Sequence, residues 1–208
     1  MIAFSVVKGV RKRCLRMCAL IRAYILCRMW HVNRGRGVAF FGKTILRAYS
    51  KDAISLGDNV TVLSKTSYNL VGLTNPSIIC ACAGARIKIG SYTGLSSTVI
   101  HARNSVTIGN YVKIGGNVRI FDHDFHSIDW TDRRPPEKAS SNTRPVIIGN
   151  DVFIGTNAII LKGTHIGDRS VVAAGSVVFG LEVPPDSIVK GNPAKVLSRR
   201  LANSKSNG

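Results

Sequence analysis

The residues best suited to chemistry occupy five consecutive positions, Asp122, His123, Asp124, Phe125 and His126. Imidazole titrates near neutrality, so it can take a proton from a weakly acidic group and return it. A neighbouring carboxylate can hold the ring and stabilise the imidazolium that forms. The phrase "DHDFH" therefore points to general-base chemistry, with Asp122 or Asp124 orienting His123 or His126. A zinc site of three histidines is the competing use. His123 and His126 are only three apart, and no third histidine is clearly placed, so no metal is expected. His31, His101 and His165 are read as structural. Phosphate-binding and dinucleotide-binding glycine motifs are absent.

Such a cluster needs a scaffold, and the flanking sequence describes one. Ile108, Ile114 and Ile120 are six apart, as are Ile148, Ile154, Ile160, Ile166, Val172 and Val178. Leu56 with Val62, and Ile89 with Leu95, repeat the spacing upstream. On a helix, residues six apart sit about 600° round and drift in angle. A flat strand has period two, so a six-residue period demands a turn in every unit. A triangular coil satisfies it: each hexapeptide gives one short strand and one turn, and three hexapeptides make a rung. One aliphatic side chain per unit points inward, and stacked rungs build an aliphatic core. Gly after the aliphatic residue allows the tight turn, and Asn and Asp tolerate left-handed backbone conformations. The phrases "IGNYVK", "IGGNV", "IGNDVF", "IGTNA" and "IGDRS" follow that rule. The repeat stops after Ile120 and resumes at Ile148, so the polar segment 121–146 must protrude. Long excursions from a compact repeat are usually functional or disordered.

This pattern, with the ending "VPPDSIVKGNPAKVLSRR", resembles the hexapeptide-repeat acyltransferases over about residues 54–196. It is most similar to the sugar and polysaccharide O-acetyltransferases related to the galactoside and maltose acetyltransferases. The resemblance implies an all-β fold, a left-handed parallel β-helix with a short C-terminal helix after "GNPAK", to which the N-terminal residues add an amphipathic helix by their own periodicity. The chain is then expected to divide into a basic helical leader (1–36), a coil (37–196) and a C-terminal helix end and tail (197–208). The resemblance implies acetyl-CoA as acyl donor, a sugar or glycan hydroxyl as acceptor, and a homotrimer whose neighbouring coils build the site together. Relatives carrying a D-x-D-x-H phrase keep its last histidine, which makes His126 the expected base, with His123 the alternative. The oxyanion donor is expected from a backbone N–H at Gly155 or Thr156. The CoA groove is expected along Thr156, Ala173, Ala174 and Ser176, with Lys190, Lys195 and Arg199 meeting the phosphates. Relatives often carry lysine near Gly180, so Lys162 or Lys190 would have to supply that contact. Trp130, Arg133 and Arg134 suit a semi-rigid arm over the acceptor. N-acylation of an amino sugar, and a non-catalytic or metal-binding coil, are the alternatives.

The bulk composition sets the surroundings. The 208 residues carry a net charge of +18, and no acidic residue precedes Asp52. In residues 3–30, Val7, Val10, Cys14, Met17, Cys18, Ile21, Tyr24 and Ile25 fall on one side of a helix. Lys8, Arg11, Lys12, Arg13, Arg16 and Arg22 lie mostly on the other. Two partners fit the apolar stripe: an anionic membrane surface, or the main domain or a neighbouring subunit. Nucleic acid is not expected, because no reader fold follows and stacking aromatics are scarce. The apolar runs are too short for a signal core or a membrane span. The expected location is the cytoplasm, with the leader able to hold the protein peripherally on the inner membrane face. Cys14, Cys18, Cys27, Cys80 and Cys82 show no paired C-x-x-C spacing and are read as reduced, mostly buried thiols.

Overall fold

The computed structural model of the chain describes residues 2–134 and 142–199. Short parallel strands wind round a triangular coil and stack into three faces. The first face holds Asn33–Arg34, Ile54–Leu56, Arg86–Ile89, Ser105–Ile108, Val146–Ile148, His165–Ile166 and Glu182–Val183. The second holds Ala39–Gly42, Thr61–Ser64, Gly94–Ser96, Lys113–Gly116, Phe153–Ile154, Val171–Val172 and Ser187–Gly191. The third holds Ile45–Ala48, Ile78–Ala81, Val99–Ala102, Arg119–Phe121, Ile159–Leu161 and Val177–Val178. This is a left-handed parallel β-helix.

The period-six residues form its core. Leu46, Ile79, Ile100, Ile120, Ile160 and Val178 stand in one column through paired registers on the third face, each wholly buried. Val62, Leu95, Ile114, Ile154, Val172 and Val189 do the same on the second. Leu56, Ile89, Ile108, Ile148, Ile166 and Val183 line the first. The corners use the residues the sequence offers: Asn59, Asn117, Asp151, Asn157 and Asp186 have φ of 56, 61, 56, 58 and 60°. Tyr92 and Tyr111 occupy the same region of backbone space, and their rings stack at 4.9 Å.

Three features differ from the sequence expectation. The coil starts at Asn33, not near residue 54 or at the boundary of 37. Phe40 and Leu46 are six apart and fully buried, but an aromatic at one corner and Arg34 on the first strand conceal the repeat there. The C-terminal segment is not a helix. Ala194–Arg199 is a strand antiparallel to Ser187–Gly191, reached through a turn at Gly191 (φ 109°). The last rung otherwise presents an unpaired strand edge, and the returning chain covers it. A second excursion, between Ser64 and Ile78, carries a 3₁₀ turn at Thr66–Tyr68. Residues 200–208 of the expected tail lie outside the described residues.

The leader forms helix α1 (Ile2–Met29). It packs on the first rung through small residues, Ala19, Ala23 and Cys27, all buried, which let the helix approach closely. Arg22 Nη1 donates to the carbonyl of Phe40 at 3.1 Å. The large apolar residues lie off that packed face: Val10, Met17, Ile21, Tyr24 and Ile25 are 51–58% exposed, with Arg34 of the first strand over the Tyr24 ring at 5.0 Å and Ile21 and Ile25 edging a groove against Gly42, Lys43 and Thr44. The stripe read from the sequence is therefore not the surface that packs on the coil. Cys14 and Cys18 share that outer side and are exposed, against the expectation of buried thiols. Among the described residues no helix is long and apolar enough to cross a membrane.

Candidate functional site

The polar excursion leaves the coil at the corner after Arg119–Phe121, where the third face ends and the first begins. Asp122 is fully buried there. One carboxylate oxygen accepts the Arg103 N–H at 2.8 Å and the other the Asn104 N–H at 2.7 Å, which fixes the corner of the preceding rung. The same carboxylate lies 2.8 Å from His123 Nδ1. The returning limb locks this corner. The Arg144 N–H donates to the Asp122 carbonyl at 2.9 Å, and His123 sits opposite Thr143 in an antiparallel bridge. The carboxylate acceptor fixes the Nδ1–H tautomer of His123, leaving the lone pair on Nε2. That Nε2 is buried and has no hydrogen-bond partner among the described residues. The Phe125 ring lies against His123 at 4.6 Å and the His101 ring at 5.0 Å. His101 is held below the ordinary histidine range, first by burial and then by His123 and Arg103.

The other loop residues divide in role. Asp124 accepts from Lys162 Nζ and from Asn142 Nδ2, so it braces the loop on the next rung and does not orient an imidazole. Lys162 is buried in that pair and is not free to meet a phosphate. His126 is exposed and has no hydrogen bond or ion pair among the described residues. Helix α2 (Trp130–Arg133) starts at Asp129, which accepts from the N–H and hydroxyl of Thr131, and these bonds hold the Asp129 carboxyl below the usual range. Arg133 donates to the carbonyls of Ser127 and Ile128, bracing its own loop. Arg134 stacks over the exposed Trp130 ring at 4.2 Å. Pro135 and Pro136 lie outside the described residues.

The residues expected to hold CoA lie elsewhere. Gly155, Thr156, Ala173 and Ala174 stack at the corner between the second and third faces. The Gly155 N–H is spent on Val172 O at 2.8 Å, so it cannot serve as an oxyanion donor. The Thr156 N–H has no acceptor among the described residues. Ser176 is buried, and its hydroxyl accepts from the Gly191 N–H at 3.3 Å, so it closes the C-terminal hairpin and lines no groove. Lys190 and Lys195 are exposed and stand opposite each other in that hairpin. Arg199 ends it, with its side chain outside the described residues. The Thr156 corner and the His123 corner lie at opposite ends of the third face. Lys162 stands six positions after Thr156, and those six steps span roughly 20 Å of extended chain between the two corners. One chain therefore does not bring Thr156 to His123.

Sequence reasoning missed Lys162 as the partner of Asp124 and His101 as the neighbour of His123. Both meet their partners by the stacking of rungs, and the only signal was the rung period itself.

A family model described as the hexapeptide repeat of succinyl-transferase matches residues 145–179. The galactoside O-acetyltransferase of Escherichia coli K12 is 31% identical over 161 residues, covering 75% of this chain and 76% of that one. The Escherichia coli K12 protein WbbJ, whose name proposes O-acetyl transfer in lipopolysaccharide biosynthesis, is 33% identical over 118 residues. That match spans 54% of this chain and 57% of WbbJ. Among solved structures, a mutant of AntD, an N-acyltransferase from Bacillus cereus in complex with dTDP-4-amino-4,6-dideoxyglucose and coenzyme A, shares the fold. Its TM-score is 0.66 at 21% identity, covering 86% of this chain and 89% of that one. The rung period, the stacked aliphatic columns and a relative matched over three-quarters of both chains lead to one conclusion: the chain belongs to the hexapeptide-repeat acyltransferases.

Proposed function

We propose that the protein is an acetyl-CoA-dependent O-acetyltransferase acting on a sugar hydroxyl, with His123 as general base. The observation that carries this reading is the Asp122–His123 pair at the root of the excursion, held at 2.8 Å with Nε2 buried and without a hydrogen-bond partner among the described residues. A sugar hydroxyl is a poor nucleophile with a pKa far above 7. Nε2 takes its proton as the oxygen attacks the thioester carbonyl, and Asp122 stabilises the imidazolium. The tetrahedral oxyanion collapses, the C–S bond breaks, and the imidazolium returns the proton to the departing sulfur. The products are a sugar ester and free CoA. An amine acceptor needs less from a base, so a buried, carboxylate-backed imidazole favours the hydroxyl. The names of WbbJ and of the galactoside enzyme support a saccharide acceptor. Coenzyme A bound to AntD supports the donor.

The base is His123 and not His126, because only His123 has a fixed tautomer and a lone pair shielded from bulk water. An oxyanion donor at Thr156 must come from a neighbouring copy, since the two corners of one chain are a whole face apart. That requirement supports a trimer with its sites between coils. The outward stripe of α1, with Arg13 and Arg11 at its edges and Arg28 within it, supports peripheral contact with an anionic membrane, where lipid-linked glycans are built.

The test pairs two variants, His123→Gln and His126→Gln, assayed by thiol release from acetyl-CoA with a panel of sugars and by calorimetric titration with acetyl-CoA. His123→Gln is expected to lose about 10²–10⁴-fold in kcat while keeping acetyl-CoA binding. His126→Gln is expected to keep most of its activity. The reverse order would refute the assignment, and a folded protein that binds no acetyl-CoA would refute the reaction.

A further inference from the structure

We propose that Cys80, Cys82 and His101 form a zinc site on the outside of the coil beside His123. The sequence alone hides it. Cys80 and Cys82 are two apart on extended backbone, so their side chains point to the same side. His101 joins them from the next rung, because the third-face register sets it directly beside Cys80.

The geometry is close to what zinc requires. One ligand atom from each of the three residues lies within 4.8 Å of the other two. Cys82 Sγ is 4.0 Å from His101 Nε2. Tetrahedral zinc, with Zn–S of about 2.3 Å and Zn–N of about 2.0 Å, sets its ligand atoms roughly 3.5–3.8 Å apart. Small side-chain rotations close that difference. Nε2 is the ring atom turned toward the thiols, and when it binds the metal the proton sits on Nδ1, which is buried and has no hydrogen-bond partner among the described residues.

Charge balance agrees. Two thiolates and one neutral imidazole give a complex with Zn²⁺ of zero net charge, which suits a partly buried site beside Arg47 and Arg103. Zinc uptake forms two Zn–S bonds and one Zn–N bond and releases the two thiol protons, with no change of oxidation state. The fourth position stays open to water or to another ligand. Occupied, the site ties two rungs together and fixes the ring that faces His123.

The experiment titrates the full chain, stripped of metal and kept reduced, with Co²⁺ and then Zn²⁺. The expected result is one equivalent of Co²⁺ with a thiolate-to-cobalt charge-transfer band and tetrahedral visible bands, bleached by one equivalent of Zn²⁺. Cys80→Ser and Cys82→Ser each lose the charge-transfer intensity, and His101→Gln shifts the visible bands. Cys14→Ser/Cys18→Ser, on α1, leaves the spectrum unchanged. Zinc raises Tm in the wild type and not in Cys82→Ser, a near-isosteric change at a partly buried position. Absence of a thiolate band at stoichiometric Co²⁺ overturns the proposal. So does a band that survives in Cys80→Ser and Cys82→Ser, or one that disappears with Cys14 and Cys18.

Discussion

Replacing Asp122 by Asn keeps the size of the side chain and changes its charge and one acceptor. In the wild type the carboxylate receives three donors: the N–H of Arg103, the N–H of Asn104 and His123 Nδ1. An amide oxygen placed at Oδ1 keeps Arg103 and His123 but sets its NH₂ against the Asn104 N–H. The flipped amide keeps Asn104 and sets NH₂ against the other two. Either way a buried donor loses its acceptor, which costs about 1–3 kcal/mol. For a chain of this size each kcal/mol lowers Tm by about 2–4 °C. The imidazolium also loses its counter-charge, and the flipped amide favours the tautomer with the proton on Nε2. The loss in kcat is then bounded by what the base supplies, about 10²–10⁴-fold or roughly 2.7–5.4 kcal/mol. The assay has three parts: thermal unfolding, acetyl transfer per folded molecule, and nitrogen NMR of the His123 ring. The wild type should show a protonated Nδ1 and a bare Nε2, and the variant a shift toward Nε2–H. If the variant loses stability but keeps kcat within about twofold and the same tautomer, Asp122 is only a turn residue and the reasoning fails.

Other expectations follow from the packing. Val10→Ser/Met17→Ser should weaken binding to anionic vesicles and leave Tm unchanged, since these side chains are 55% and 58% exposed; vesicle binding equal to wild type would remove the membrane from the account. Gly155→Ala should destabilise by about 1–3 kcal/mol in denaturant titration, because overpacked sites resist added volume. Its new Cβ would sit 2.5 Å from the Ala174 backbone nitrogen, where nothing flexible can yield. A variant as stable as wild type would mean that the rungs can separate. Ile148→Ala should cost about 2–5 kcal/mol. Its neighbour Ile147→Ala should cost less than about 1 kcal/mol, because Ile147 is 41% exposed on the outer side of the strand. Equal costs would contradict the inward assignment.

The period of six determined the coil, because one inward residue per strand-and-turn unit leaves the chain no other way to bury its aliphatics. It also determined where the chain leaves the coil, since Ile120 and Ile148 bracket the excursion and the cluster "DHDFH" lies at its root. The periodic signal failed where its vocabulary changed: Phe40 hid the first rung, and "AKVLSR" carries nothing in its local pattern that separates a helix from the edge strand it forms. His123 and His126 are alike in the sequence, three residues apart, and only the tertiary structure separates their surroundings: the carboxylate, the returning limb and the Phe125 ring converge on His123, while His126 is exposed. The partners of Asp124 and His101, and the separation of Thr156 from His123, were likewise out of reach of local reading. They depend on which residues the rungs stack together and on which corner of a triangle each one occupies. The helix stripe makes the same point in reverse. Its residues were legible as one side, but whether that side meets the coil depends on Ala19, Ala23 and Cys27, whose small size makes theirs the face that can approach it.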